Sequence, residues 1–394
     1  MPERYVSDLV YSGEEPEALT SFKKRISNAT FTNDGFVCCM FRISASSESC
    51  AYAADKAGDL LDAFFEAETG FHEKIDDHVF GVVIHGYKTR NQGLEKTTRL
   101  KQSLGDTVET VVYAGACFYP FRDYPAAETC DSAIKALDHS GFFNGDSVVF
   151  FDAVSLNVCG DRLFQRNRVE DALLQYKKGL EIEPDNINLI NSLGVCYGVT
   201  GRLESAKAEF EKINQIDPEE VLAIYNLGLV FSLLKETGNA IASLQRANRI
   251  NSGIYEIELL LGKLLFRNRD NESALVHLEN AYGIDPSSAA PLRVRGDILL
   301  EMDRPEEAEK EFNRSIKLNP SDAAALSGLA RAYEVQNKNI EIALTFARKS
   351  TDIDPSNPVF RERLARIHLK REEHDLASLE FEKANEEIQK TKSA

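Results

Sequence analysis

The stretch INLINSLGVCYGVTGRLESAKAEFEKINQIDPEE, residues 187–220, reads as two short helices that must pack on each other. Ile190, Leu193, Gly194 and Tyr197 fall on one helical stripe. Ala206, Phe210 and Ile213 form a second stripe, and Asp217-Pro218 ends it because proline cannot continue a helix. The stripes mix very small with very large side chains, so the helices approach closely at one level and interlock at the next. Neither helix buries its stripe alone, and such a unit needs neighbours stacked against it.

The pattern recurs through the C-terminal part of the chain. Gly160, Gly194, Gly228, Gly262 and Gly296 are spaced 34 residues apart, and Ala172, Ala206, Ala240, Ala274 and Ala308 keep the same step. Pro184, Pro218, Pro286 and Pro320 follow it too, with Ser252 in the vacant slot. One extra residue near Asn337 to Asn339 shifts the last two units, which continue at Ala330, Ala343 and Pro355, then Ala365 and Ala377. A fixed period of this length marks a repeat array. Seven units follow: 153–186, 187–220, 221–254, 255–288, 289–322, 323–357 and 358–391. The last ends in a polar tail, EEIQKTKSA, which suits a solvated end.

These small and large positions resemble the tetratricopeptide repeat family across residues 153–386. The resemblance implies an all-α superhelix over 153–394. The family's aromatic at the fourth position is replaced by Leu156, Ile190, Ile224, Glu258, Leu292, Leu326 and Arg361, so the units with Glu258 and Arg361 depart from an apolar residue. In this family the first helix of each unit lines an inner, concave face, chiefly at its second, fifth, ninth, twelfth and thirteenth positions. Carried over, those positions give Asn188, Asn191 and Tyr225, then Lys263, Phe266, Arg267 and Arg293, then Arg331, Arg366 and Lys370. The chain has 46 basic and 63 acidic residues, a formal charge of −17, so a row of cations runs against its average. Guanidinium groups match carboxylates in bidentate fashion, and aromatics add apolar anchors. Tyr225, Lys263, Phe266, Arg267, Arg293, Arg331 and Arg366 are therefore the expected seat of an acidic or carboxylate-bearing peptide from a partner protein. The competing reading is that Asp297, Glu301, Glu334 and Glu362 pair these cations internally, in exposed pairs contributing only about 0–1 kcal/mol.

Residues 1–152 lack the 34-residue step and carry 14 basic and 24 acidic side chains. Helices are expected at 17–30, 51–67, 92–104 and 126–138, and strands at 36–43, 79–85, 108–118 and 147–151. That alternation implies a layered α/β sheet domain. Several stretches resemble the GGDEF (diguanylate cyclase) family, a relative of the nucleotide cyclase palm. Glu17 to Phe22 with Arg25, Lys74 to Ile84, Ala114-Gly115 with Tyr119-Pro120, and Asp131, Ala133 and Ile134 match its motifs in order, and Gly141 with Asn144 fits its closing loop.

The resemblance also shows which chemical groups are replaced. Such a cyclase needs two carboxylates to hold Mg²⁺ and a glycine turn that admits phosphates to the backbone. Asp76-Asp77 stands at the glycine pair and His78-Val79 at the following acidic pair. The metal carboxylates fall on Arg42 and Ser44, and the guanine-reading asparagine falls on Cys50, although Gly58-Asp59 is kept. The late phosphate-binding cations fall on Asp138 and near Phe142, and the feedback-site positions hold Ala67 and Gly70. Two aspartates beside a triphosphate add repulsion of roughly 1–4 kcal/mol per close pair. No catalytic residue, cofactor or metal site is expected here. Asp76, Asp77, His78 and His72 read as a turn and its surroundings rather than as metal ligands. Asp59 reads as a solvated helix carboxylate, and Cys117 and Cys130 as small buried residues.

Composition bounds the rest. A charge of −17 counts against nucleic-acid or anionic-membrane partners. No run approaches the ~20 apolar residues of a membrane span, so no membrane insertion is expected, and the acidic start MPERYVSDLVYSGEEPEAL does not read as a signal peptide. Seven cysteines without a C-x-x-C pair read as thiols of a cytoplasmic protein. The sequence thus suggests a non-catalytic bacterial signalling adaptor, with a degenerate GGDEF-like domain (1–152) joined without a linker, at a rigid joint, to seven repeats (153–394). The alternatives are a guanine-nucleotide or cyclic di-GMP sensor without turnover, and a residual diguanylate cyclase.

Overall fold

The computed structural model describes residues 15–31, 35–44 and 50–393. The start of the chain and the side chain of Cys50 lie outside the described residues. The chain forms two compact units, Met1–Ile216 and Asp217–Ala394.

The first unit is built on a five-stranded sheet in the order β2-β3-β1-β4-β5. Its elements are α1 (Glu17–Asn28), β1 (Phe36–Ile43), α2 (Cys50–Ala67), β2 (Gly70–Asp76), β3 (Val79–His85), α3 (Arg90–Val108), β4 (Val112–Tyr119), α4 (Glu128–Ser140) and β5 (Val148–Phe150). The central strand β1 is FVCCMFRI, apolar almost throughout, as a strand covered on both faces must be. Period-two alternation sends Cys38 and Met40 into a core with Leu19 and Phe22 of α1 and Ile134 and Leu137 of α4. Cys39 and Phe41 go to the other face, with Leu61 of α2 and Leu100 of α3. The result is helix, sheet and helix in three layers. β1 pairs antiparallel with β3 and β4, and only β4–β5 is parallel. Close approach is built in at Gly115, where a β-carbon would lie 1.9 Å from the Leu137 nitrogen of α4.

Two expectations need correction here. The edge strand β2 (GFHEKID) is absent from the four expected strands, because only Ile75 of it is buried and no apolar run announces it. The strand expected from 108 starts only at Val112. Val108 still belongs to α3, which ends when Glu109 turns to a positive φ of 54° and its amide bonds back to the Gly105 carbonyl.

The repeats follow as helix pairs. α5 (Ala153–Gln165) with α6 (Val169–Ile182) and α7 (Ile187–Val199) with α8 (Leu203–Ile216) complete the first unit. The second unit holds α9 (Val221–Leu233) and α10 (Thr237–Ile250), α11 (Tyr255–Arg267) and α12 (Asn271–Ile284), and α13 (Ala290–Glu301) and α14 (Pro305–Leu318). It ends with α15 (Ala323–Val335), α16 (Ile340–Ile353), α17 (Pro358–Lys370) and α18 (His374–Ser393). The glycine register has a steric cause. A β-carbon on Gly160, Gly194, Gly228, Gly262 or Gly296 would lie 2.3–2.8 Å from Tyr176, Phe210, Leu244, Leu278 or Phe312, always the side chain sixteen positions on. Ala172, Ala206, Ala240, Ala274 and Ala308 beside these contacts are fully buried. The extra residue at 337–339 sits in the turn between α15 and α16, where Asn337 and Asn339 both have positive φ.

The first repeat is fastened to the sheet domain within the first unit. Leu156 of α5 enters the core that holds α1 and α4. Arg162 of α5 binds the buried Asp138 of α4 at 2.6 Å, with side chains 15% and 1% exposed. Arg122 donates to the carbonyls of Glu181 and Ile182 at the end of α6, at 2.6 and 2.7 Å.

Candidate functional site

The second unit stacks its helix pairs so that α11, α13, α15 and α17, the first helices of successive pairs, touch one another. Their shared face carries the cations singled out above. Arg293 of α13 reaches Asp297 one turn along its own helix and Asp322 at the start of α15, each at 3.5 Å. Asp322 is fixed there by capping α15, accepting from the Ala325 amide at 3.0 Å. Arg363 of α17 donates to Ser327 Oγ of α15 at 2.7 Å. Lys370 donates to the Glu334 carbonyl at 2.7 Å, and Arg366 lies 4.0 Å from Glu362.

Asp297 is the centre of this field. Burial pushes its carboxyl up to about 6, against the pull of Arg293, Arg363 and Arg331 and with a further push from Asp322. Its side chain still keeps 38% of its surface open, so the low-lying carboxyl remains reachable. Burial and the neighbouring Arg331 bring Arg363 down to about 10, with Asp297 and Glu334 opposing. Lys263 of α11 is lowered by burial and then by Arg293 and Arg267. The six cations Lys263, Arg267, Arg293, Arg331, Arg363 and Arg366 thus act on one another or on Asp297, and Asp322 and Glu334 share their field.

Five of those six were named from the sequence. Arg363 was missed because it occupies the sixth position of its unit, off the inner-face set. Its signal was an (i, i+3) spacing to Arg366, which puts both on one side of α17. Tyr225 of α9 and Phe266 of α11 are half-buried, and the Tyr225 phenol is raised by burial and by Glu256. Asn188 and Asn191 stand on α7 in the first unit.

The positions that the GGDEF resemblance marks are otherwise employed. Asp77 and His78 form the turn between β2 and β3, and the Asp77 amide donates to Asp76 Oδ1 at 2.8 Å. His72 faces away to Asp62, 2.9 Å off. The Arg42 guanidinium lies 4.6 Å above the Tyr113 ring. Asp59 is exposed on α2.

Family models described as "TPR repeat" and "Tetratricopeptide repeat" match residues 160–201, 187–220 and 265–332. The chain carries tetratricopeptide repeats. A tetratricopeptide repeat protein from Parabacteroides merdae superposes with a TM-score of 0.50 at 18% identity, covering 59% of this chain and 92% of its own. The Cut9-Hcn1 hetero-tetramer of APC/C gives 0.50 at 14% identity, with coverage of 77% and 58%. YrrB, described as a TPR protein with an unusual peptide-binding site, gives 0.43 at 20% identity, with coverage of 50% and 97%. At such identities the two superpositions at 0.50 speak for the repeat fold alone. Within it, the tetratricopeptide repeats account for the glycine and alanine registers, and the two charged departures have partners. Glu258, 3% exposed, meets His277 at 2.6 Å, and Arg361 meets Glu380 at 2.8 Å, each nineteen positions on. Among the described residues, no helix is long and apolar enough to cross a membrane.

Proposed function

We propose that this chain is a non-catalytic adaptor whose second unit binds an acidic segment of a partner protein along α11, α13, α15 and α17. The observation that carries the reading is the row of Lys263, Arg267, Arg293, Arg331, Arg363 and Arg366 gathered around Asp297 in a chain of charge −17. Its internal pairs are loose, at 3.5–4.0 Å, and a carboxylate with better geometry displaces such contacts at little cost. Tyr225 and Phe266 supply apolar anchors towards the other end of the segment.

The sheet domain serves in this reading as a degenerate GGDEF-like docking or regulatory module. Arg42 and Ser44 in place of metal carboxylates support the absence of cyclase chemistry. Asp138, at the position of a phosphate-binding lysine, instead anchors Arg162 of the first repeat, so a position of the ancestral chemistry serves the joint.

The test is fluorescence anisotropy of a labelled ten-residue Glu/Asp-rich peptide, with a Lys-rich peptide as control, at physiological salt. The acidic peptide should bind saturably. The triple variant Arg293→Glu, Arg331→Glu and Arg366→Glu should lose about tenfold or more in affinity with unchanged helicity. Equal binding by the variant would show that the face has been wrongly assigned.

A further inference from the structure

The opening helix of the second unit, α9 (VLAIYNLGLVFSL), is apolar almost all round. One side of it is packed into the array, where Ala223, Ile224, Leu227 and Val230 are buried. Leu222, Tyr225, Leu229 and Leu233 fall on another stripe, at helical spacing and about 16 Å long. Leu222, Leu229 and Leu233 are 51%, 37% and 54% exposed, and Tyr225 is half-buried. The fold leaves this stripe uncovered, where a surface helix ordinarily turns polar residues to water.

The repeat register shows that the stripe is not a property of every unit. At the same four positions α11 has Glu256, Leu259, Lys263 and Arg267, and α13 has Ala290, Arg293, Asp297 and Glu301. No other first helix of the second unit is apolar at all four. The surface is continuous from one helix to the next, since Glu256 acts on the Tyr225 phenol and Arg293 acts on Lys263. Along it the lining passes from aliphatic to cationic within two helices. Glu256, exposed beside Tyr225, repels the acids of a ligand at that boundary, and Lys263 and Arg293 attract them beyond it.

We propose that the partner segment is bipartite: bulky aliphatic or aromatic side chains seat on Leu222, Tyr225, Leu229 and Leu233, and acidic residues follow on the cations of α13, α15 and α17. This rests on the acidic-peptide reading above and specifies which partner that face accepts. Charge complementarity selects the occupant. Any apolar surface covers the stripe alone, but a ligand that continues over Arg293, Arg331 and Arg366 must carry acids on one side of its apolar cluster. Two copies of this chain, each of charge −17, repel one another at long range. Packed helices lie about 8–10 Å apart, so α13 is roughly 20 Å from α9, and an extended segment crosses that distance in about six residues. A spacer of that length between the apolar cluster and the acids is therefore part of the recognised pattern.

Anisotropy titrations of the full chain with three labelled peptides test it: Leu-Phe-Leu, a Ser/Gly spacer of about six residues and a run of glutamates; the same peptide with a one-residue spacer; and the glutamate run alone. The first should bind about tenfold more tightly than the other two. The triple variant Leu222→Ser, Leu229→Ser and Leu233→Ser changes only exposed side chains. It should lose that gain and bind the glutamate run as the wild type does. The charge-reversed variant at Arg293, Arg331 and Arg366 should weaken both. If the first peptide gains nothing over the glutamate run, or keeps its gain in the serine variant or with the short spacer, the apolar seat is wrong while the acidic-peptide reading stands. If the glutamate run does not bind the wild type at all, that reading is what fails. Sedimentation of the unliganded protein completes the test: a dimer that the serine variant abolishes would make a second copy the occupant of the stripe and overturn the proposal.

Discussion

Arginine does opposite work in two regions of this molecule. At the joint of the first unit, Arg162 holds Asp138 at 2.6 Å with both side chains largely out of water. On the repeat face of the second unit, Arg293 is shared between two acids at 3.5 Å, and Arg366 is 64% exposed with Glu362 4.0 Å away. The dry, short pair fixes one geometry. The loose pairs leave donors that a ligand can recruit. Burial of the carboxylate, more than the identity of the cation, separates the two uses.

The strongest test of that contrast is Arg162→Ala. It leaves the buried Asp138 without its guanidinium, which typically costs about 3–5 kcal/mol. A fall in melting temperature on the order of 10 °C by circular dichroism is expected. Arg293→Ala should cost about 1 kcal/mol or less. Equal losses from the two variants would erase the distinction between joint and face.

A second test concerns the charged intrusions into the repeat core. Glu258 is buried and satisfied by His277 Nδ1 and, at 3.4 Å, by Asn280. His277→Leu should destabilise by about 1–3 kcal/mol, because it leaves a desolvated carboxylate underused. Glu258→Leu combined with His277→Leu restores the apolar fourth position and should melt at or above the wild type. If the double variant melts as low as the single one, the pair is needed for packing as well as for charge.

What could be read in advance divides along the same line. The repeats were legible because a glycine that admits Phe210 or Leu278 leaves a volume signal at fixed spacing, and each unit repeats it. Strand β1 was legible from its continuous apolar run. β2 was not, since this edge strand buries only Ile75 and leaves its other residues half-buried or exposed, without an apolar run. The Arg162–Asp138 joint was illegible because its partners come from separate elements, and only the packing of α4 on α5 brings them together. Arg267, Arg293, Arg331 and Arg366 could be placed on a face by counting helix positions. Asp297 could be placed among them in the same way, but its depth could not, because that depends on how α13, α15 and α17 pack.

Asp297 gives a smaller, pH-dependent test. Its folded carboxyl titrates at about 6, above the ordinary 3.8. The folded state therefore holds the proton more tightly than the unfolded chain, and this group's contribution to stability falls as pH climbs from about 4 to about 6, then levels off. Below about 6 the neutral acid no longer repels an anionic peptide, so acidic-peptide affinity should rise a few-fold between pH 7 and pH 5.5. Asp297→Asn should bind about three- to tenfold more tightly at pH 7 and flatten the profile. An unchanged slope in that variant would move the titration to another group.

The smallest expected effect comes from an arginine that serves neither use. The turn inside each helix pair has a residue at a positive φ of 50–75°, namely Asn167, Gly201, Lys235, Arg269, Asp303, Asn337 and Glu372, and the turn before α16 adds Asn339. Glycine and asparagine accept that conformation readily, whereas a long side chain is strained there by about 1–2 kcal/mol. Arg269→Gly would return part of that strain to the unfolded chain as added freedom. Arg269→Asn avoids this, so it should gain about 0.5–1 kcal/mol and melt one or two degrees higher, on the order of the effect of a single turn residue. Arg269 lies beyond the end of α11, so acidic-peptide affinity should not change. A lower melting temperature would mean that its guanidinium holds the turn, and weaker peptide binding would extend the cationic face past Arg267.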